Sequence, residues 1–290
     1  MKIATAAYPA DWFGEWADYE KKLTAWVTEA VGAGADLLVF PEYGAMELVS
    51  LAGEGVGMDL EASARAVSDL IPQADELHAR LAAEHGVHIL AGSGPVMTGE
   101  RPVNRARFFG PEGMLGYQDK QIMTRYEREI WDVRPGDPLT LFDTPLGRIG
   151  ILICYDSEFP LLGRALVDAG AEILLVPSQT ERLSGYSRVR IGAMARALEN
   201  QCVAVHSPTV GAVEWCEVLD TSTGAAAVYG PPDLGFPDTG VIAQGDLNVP
   251  GWVYADVDIS AVARVRAEGR VFNHADWALQ DAPSKNVKFG

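Results

Sequence analysis

The sequence of 290 residues is poor in cysteine and contains no long apolar run. Its three cysteines, Cys154, Cys202 and Cys216, show no paired or CxxC spacing, which is typical of free thiols in a reducing compartment and predicts no disulfide. No segment offers the roughly 18 uninterrupted apolar residues of a membrane span, and residues 1–8 lack the apolar core of a secretory signal. We therefore expect a cytoplasmic protein with no membrane partner.

Basic residues are also scarce: 23 Lys and Arg stand against 40 Asp and Glu, which gives a formal net charge of −17. This balance argues against general binding to nucleic acid or anionic lipid, because both need a basic surface. The glycine-rich stretch at 53–57 lacks the GxGxxG spacing of a nucleotide cradle and is expected to be a flexible loop or lid. His85 and His88 have no HExxH context, so the sequence predicts neither a metal nor another cofactor.

The most informative segment that is present covers residues 150–160, Gly-Ile-Leu-Ile-Cys-Tyr-Asp-Ser-Glu-Phe-Pro. It carries Cys154 from an apolar strand into a polar turn that opens a helix. Such an elbow exposes the side chain at its apex, and the unpaired N–H groups of the helix start favour a thiolate over a thiol. Cys154 is therefore a candidate nucleophile, although a lone cysteine at the end of a strand is more often a small core residue.

Two further segments bring polar groups to similar positions. Glu42 follows the apolar run at 36–40, and Lys120 follows the strand-like stretch at 113–118. Because side chains at the carboxyl ends of neighbouring parallel strands meet in one crevice, we expect Glu42 to face Cys154. Taken alone, each of these charged residues would be a solvated surface group.

Taken together, these segments resemble the nitrilase, or carbon–nitrogen hydrolase, superfamily over nearly the whole chain. The resemblance implies that Glu42 is the general base, that Lys120 stabilises the tetrahedral intermediate and that Cys154 is the nucleophile. It also implies an α/β fold of the four-layer αββα sandwich type, and a homodimer or higher homo-oligomer formed by helices beside the cysteine elbow. The matching blocks, in the order and at the intervals of the family, are Phe-Pro-Glu at 40–42, Tyr-Gln-Asp-Lys at 117–120, the segment at 150–160, and the stretches at 172–178 and 196–200.

The family usually carries a second glutamate near the lysine, and two residues qualify. Glu127 stands four residues before Trp131, as the family glutamate commonly precedes an aromatic, and we favour it for that reason. Counting back from Pro135 favours Glu129 instead. Either residue could also belong to a solvated helix face together with Arg125, so the choice stays open at this stage.

Substrate contacts are assigned to Tyr155, whose backbone N–H follows the cysteine, and to Ser178, at the end of the block at 172–178. The predicted function is a cysteine-dependent hydrolase that cleaves the non-peptide C–N bond of a small linear amide or N-carbamoyl compound. The reaction would pass through a thioester and release ammonia or an amine. Nitrile hydrolysis at the same site is one alternative, and a non-catalytic relative that binds a small molecule or a partner protein is another.

Apolar periodicity predicts alternating helices and strands, which is typical of sheets covered by helices. We expect one hydrolase domain at 1–270 and a C-terminal tail at 271–290 that is too polar to fold alone and lies at a subunit interface. The predicted helices are 15–31, 62–84, 161–167 and 189–199; the predicted strands are 3–7, 36–40, 88–92, 105–109, 113–118, 173–176 and 203–206, with further strands in 221–258, among them an edge-like strand at 252–258.

Overall fold

The computed structural model describes residues 1–285, 287–288 and 290, and it alternates helices with strands as expected. The helices are α1 (Trp16–Gly32), α2 (Leu60–His85), α3 (Pro160–Asp168), α4 (Leu183–Asn200), α5 (Ser260–Glu268) and α6 (Asp281–Ser284). The strands are β1 (Lys2–Pro9), β2 (Leu37–Val39), β3 (His88–Leu90), β4 (Gly94–Thr98), β5 (Arg101–Gly110), β6 (Gly113–Asp119), β7 (Leu141–Thr144), β8 (Gly147–Ile151), β9 (Ile173–Ser178), β10 (Val203–Val210), β11 (Ala227–Tyr229), β12 (Val241–Gln244) and β13 (Gly251–Asp256).

Within the described residues, thirteen strands form one hydrogen-bonded sheet that folds into two layers. The first layer contains β1 to β6 and β13, and the second contains β7 to β12. The two layers are joined where the ends of β1 and β10 pair in parallel, at Tyr8 with Thr209 and Pro9 with Val210. The carboxyl ends of the central parallel strands of both layers therefore meet in the same region of the molecule.

The core shows why the fold has four layers. Successive side chains of a strand point to opposite faces of a sheet. In β2, Leu38 packs in the cluster formed with α1 and α2, whereas Leu37 and Val39 pack in a second cluster that also contains residues of β8, β9, β10 and α4. The order helices, sheet, sheet, helices follows, and the predicted αββα sandwich is confirmed.

Most predicted elements appear within a few residues of their expected bounds, including an edge strand, β13, that pairs antiparallel with β1. One difference is α4, which begins at Leu183 rather than at residue 189, because its first turns carry polar residues that interrupt the apolar spacing. The glycine-rich stretch at 53–57 is a turn followed by a 3-10 segment. A Cβ at Gly57 would lie 2.2 Å from the carbonyl oxygen of Trp215, so this stretch packs tightly against the 215 loop.

The start of the predicted tail packs against its own chain. The N–H of His274 donates to Gln201 Oε1 at 3.2 Å, and Arg164 of α3 donates to the His274 carbonyl at 3.1 Å and lies over the Trp277 ring. Contact of the tail with a neighbouring subunit stays a prediction, and residues 286 and 289 of the tail lie outside the described residues. Of the helices formed by the described residues, none has the length and apolarity needed to cross a bilayer.

Candidate active site

Cys154 lies just after the buried end of β8, at a sharp change of chain direction. Its φ of 49° is in the left-handed region, which a residue with a side chain rarely adopts, and it opens the short 3-10 segment Cys154–Glu158. The segment is held by Ser157, whose Oγ donates to the Cys154 carbonyl at 2.6 Å. Helix α4 approaches it closely, since a Cβ at Gly192 would lie 2.9 Å from the Ser157 carbonyl oxygen. The strained elbow is therefore fixed on two sides.

Glu42 lies beyond the end of β2, and its buried carboxylate is held by three different segments. Oε1 accepts hydrogen bonds from Lys120 Nζ at 2.8 Å and from Asn104 Nδ2 at 3.0 Å. Oε2 accepts from the backbone N–H of Gln179, at 2.8 Å. The carbonyl of that same residue, Gln179, lies 3.6 Å from Cys154 Sγ. The structure thus brings the carboxylate, the ammonium and the thiol together, although 78 residues separate Glu42 from Lys120.

Glu127 is the second carboxylate that reaches the lysine. Both of its oxygens lie 2.7 Å from Lys120 Nζ; Oε1 also accepts from the Tyr43 hydroxyl at 2.6 Å, and Oε2 from the N–H and hydroxyl of Thr124, each at 2.8 Å. It begins a π-helical turn that ends at the buried Trp131. The structure places Glu127 rather than Glu129 beside Lys120.

Glu129 lies instead on the solvated helix face, which the sequence analysis gave as the alternative position for either glutamate. It is exposed and forms an (i, i+4) ion pair with Arg125 at 2.7 Å. The four-residue interval between Glu127 and Trp131 was the useful signal, because the buried indole anchors the turn by donating to the Leu60 carbonyl at 2.8 Å.

The two carboxylates share one ammonium, but their pKas are shifted in opposite directions. Burial raises the pKa of Glu42, with Lys120 opposing the shift and the charge of Glu127 adding to it. Burial also acts on Glu127, yet Lys120, Tyr43 and the Thr124 amide outweigh it, so the pKa of Glu127 is lowered. The pKa of Lys120 is raised well above its ordinary value by both carboxylates, against the effect of burial. These opposite shifts favour the ionised form of Glu127 and make Glu42 the easier of the two carboxylates to protonate.

The surroundings of Cys154 shift the pKa of its thiol in the direction opposite to that expected from the elbow. Burial raises the pKa of the thiol well above its usual range, the negative charge of Glu42 raises it further, and Lys120 only partly opposes these effects. The elbow leads into a 3-10 segment of five residues, so the electrostatic effect of a helix start is too small to overcome burial. These effects favour the thiol over the thiolate in the free protein, in the opposite direction to the effect expected from the elbow.

A cavity of about 340 Å³ opens onto these groups. Tyr155, which is half-buried beside Phe159, lines the cavity, and its role as a substrate contact stays a prediction. The Ser178 side chain does not line it: Ser178 is fully buried, and its hydroxyl is hydrogen bonded to His206 Nε2 at 2.8 Å. Its assignment as a substrate contact is therefore wrong, because the strand turns that hydroxyl into the core and presents Gln179, the next residue, to the cavity.

Sequence reasoning missed several residues that organise the site. They are polar and buried or partly buried, and most lie close in sequence to a residue that was identified. The missed residues are Tyr43, Asn104, Thr124, Asp156 and Gln179.

Among residues 1–285, no group of three or more His, Cys, Asp and Glu side chains is arranged to hold a metal ion.

Comparison with known proteins identifies the family of the chain. A family model described as carbon-nitrogen hydrolase matches residues 2–267. The probable hydrolase YhcX of Bacillus subtilis (strain 168) is 32% identical over 271 residues, which cover 93% of this chain and 52% of YhcX, so the chain spans about half the length of that relative. Nitrilase 3 of Arabidopsis thaliana is 28% identical over 291 residues, covering 92% of this chain and 84% of the plant protein.

Among solved structures, the amidase from Nesterenkonia sp. AN1, in a variant form, superposes with a TM-score of 0.70 at 23% identity, covering 96% of this chain and 99% of the amidase chain. This likeness shows a shared fold. Because the family model covers nearly the whole sequence and the fold agrees, the chain belongs to the carbon–nitrogen hydrolase family, within the nitrilase superfamily.

Proposed function

We propose that the protein is an amidase that hydrolyses the C–N bond of a small linear amide or N-carbamoyl compound through a thioester on Cys154. The observation that carries this proposal is the buried ionic cluster of Glu42, Lys120 and Glu127 beside the thiol at the base of the cavity. Burying one ammonium and two carboxylates is unfavourable unless they are closely paired, so such a cluster is typical of a site with a chemical task.

In the first half of the reaction, Cys154 Sγ bonds to the carbonyl carbon while the thiol proton moves to the ionised Glu42. The negative charge that develops on the substrate oxygen is stabilised by Lys120 and by the backbone N–H of Tyr155. The C–N bond then breaks, and the departing nitrogen takes the proton from Glu42, so that ammonia or an amine leaves and a thioester remains.

In the second half, water attacks the thioester carbon and gives a proton to Glu42. The C–S bond breaks, the carboxylic acid leaves, and the sulfur recovers its proton from Glu42. The raised pKas of Glu42 and of the thiol suit this cycle, because the proton moves between two groups that both tolerate the neutral form. Lys120 stays charged throughout, which its raised pKa supports.

Relatives support this choice of chemistry in part. In a variant of the Nesterenkonia amidase, acrylamide has added to the active-site cysteine of that enzyme, and the plant relative is named a nitrilase. Nitrile hydrolysis at the same cluster is therefore the alternative that the assay must distinguish from amide hydrolysis. The cavity volume of about 340 Å³ lies at the lower end of small-molecule sites, which supports a small substrate.

The test is a panel of linear amides, N-carbamoyl amino acids and nitriles, each assayed for released ammonia with the wild type and with Cys154→Ala. We expect ammonia from at least one amide or carbamoyl compound with the wild type and none with the variant. Release from nitriles alone would favour the alternative. Undiminished release by Cys154→Ala would contradict the mechanism, and no release from any compound would favour a binding protein.

We also propose that the protein forms a homodimer through α3 and α4, which flank the cysteine elbow. Four large apolar side chains on these helices are exposed, and Leu161 and Ile191 are exposed by 72% and 63%. An apolar face of this kind is typical of a protein–protein contact. The other two residues are Leu183 and Leu198.

A further inference from the structure

Asp156 is a buried carboxylate that has no part in the proposed proton transfers. It lies two residues after Cys154 and is fully buried. Its Oδ1 accepts from the backbone N–H of Ile122 at 2.8 Å, and Oδ1 and Oδ2 accept from the N–H of Gln121 at 3.2 and 3.1 Å. In the described part of the chain these backbone amides are its hydrogen-bond partners, and it forms no ion pair with a Lys, Arg or His.

The two amides belong to the residues that directly follow Lys120. The rest of the lysine segment is held by other parts of the chain: the Lys120 N–H donates to the Asn104 carbonyl at 2.9 Å, and the Lys120 carbonyl accepts from the Gly136 N–H at 3.3 Å. These contacts anchor the segment to the first layer of the sheet and to the 136 loop. Asp156 links the lysine segment by hydrogen bonds to the elbow that carries the thiol.

Burying a carboxylate at this position is unfavourable, because its charge loses contact with water. Burial raises the pKa of Asp156 to about 7, while the charge of Lys120 and the two backbone amides act in the opposite direction. An apolar residue would avoid this desolvation but would leave the Gln121 and Ile122 amides without an acceptor. The carboxylate is suited to the place because it accepts from two adjacent N–H groups at once.

We propose that Asp156 is a positioning residue, which fixes the backbone after Lys120 and thereby sets the distance between the Lys120 ammonium and Cys154. The proposal rests on the proposed function, in which Lys120 stabilises charge in the transition state. It predicts that Asp156 affects kcat much more than KM, because an ammonium that is misplaced by a fraction of an ångström loses mainly transition-state stabilisation.

The test compares Asp156→Asn with Asp75→Asn by steady-state kinetics on the best amide substrate, with melting temperatures measured alongside. Asp156→Asn keeps the shape, but it removes the charge and replaces one of the two oxygens with an NH₂ group, which then faces the Gln121 N–H as donor against donor. We expect kcat to fall by about 10- to 100-fold with KM changed by less than about 3-fold. Asp75 is a suitable control because it is also a largely buried carboxylate, paired with Arg107 at 2.6 Å, but it has no bond to the lysine segment. Its variant should keep kcat within about 3-fold at a similar loss of thermal stability.

Equal kcat losses in the two variants, or an unchanged kcat in Asp156→Asn, would overturn the proposal. If Asp156→Asn does not fold, Asp156→Glu is measured in the same way. It keeps the charge but moves the carboxylate outward by one methylene, and the proposal again requires a loss in kcat at constant KM. Activity lost in Cys154→Ala but retained in Asp156→Asn would refute only the positioning role, whereas activity retained in Cys154→Ala would refute the proposed function.

Discussion

Replacing Lys120 with methionine tests whether the buried ionic cluster is as tightly coupled as its geometry indicates. The Lys120 ammonium contacts Glu42 at 2.8 Å and both oxygens of Glu127 at 2.7 Å, and all three side chains are at most a few per cent exposed. Removing one partner of a buried ion pair usually costs about 3–5 kcal/mol, because the remaining charge is uncompensated. Lys120→Met leaves two such charges side by side, so we expect a loss at the upper end of this range at pH 8.

The loss should shrink as the pH falls. In the wild type the pKa of Glu127 is lowered, largely by Lys120, but in the variant burial and the neighbouring carboxylate would raise the pKa of one of the two glutamates. A group whose pKa is higher in the folded than in the unfolded state stabilises the fold at low pH, and this contribution is lost as the pH rises through the folded-state value. Each pH unit of such a titration is worth about 1.4 kcal/mol.

Urea unfolding at pH 5, 6, 7 and 8, at one fixed protein concentration, gives the free energy of unfolding at each pH. Lys21→Met, at an exposed position, should leave it within about 0.5 kcal/mol of the wild type. Lys22→Met is a graded control, since it leaves one buried carboxylate, Glu47, without its 2.7 Å partner. A Lys120→Met variant that is destabilised equally at pH 5 and pH 8, or not destabilised, would refute the reasoning.

Two other predictions concern the base and the subunit contact. Burial raises the pKa of Glu42, and Glu42 must be ionised to accept the thiol proton. We therefore expect kcat/KM to fall as the pH decreases, with a midpoint above the ordinary glutamate pKa of about 4.3. A pH–rate profile whose acid limb has its midpoint at or below that value would contradict the role of Glu42 as the base. Leu161→Asp combined with Ile191→Asp should convert the dimer to a monomer in light scattering, whereas a wild type that is already monomeric would refute the proposed contact.

Much of the fold follows from local signals in the sequence. The run Leu37–Val39 is apolar at every position, which is typical of a strand buried on both faces, and it is one. The start of α4 could not be predicted, because Ser184, Gly185, Ser187 and Arg188 interrupt the apolar spacing in its first turns and the spacing becomes regular only later. Resemblance, not periodicity, supplied the number of layers.

The site was predictable only as a set of reactive groups. Glu42, Lys120 and Cys154 lie in recognisable blocks, but the pKas of their side chains depend on contacts that are distant along the chain. The hydrogen bond from Gln179 to Glu42 spans 137 residues, and its donor is a backbone N–H. Because the donor is not a side chain, the residue type at position 179 gives no signal of this bond. Likewise, nothing local to Ser178 shows that its hydroxyl turns inward to His206.

The most direct test of the account is to trap the covalent intermediate. The reaction of the wild type with its best amide substrate is quenched in acid during turnover, and the digested protein is analysed by mass spectrometry. The account predicts one acyl group on the peptide that contains Cys154, and none on the peptides of the fully buried Cys202 and Cys216 or on the Cys154→Ala variant. Full turnover without an adduct on Cys154, or an acyl group on another residue, would contradict it.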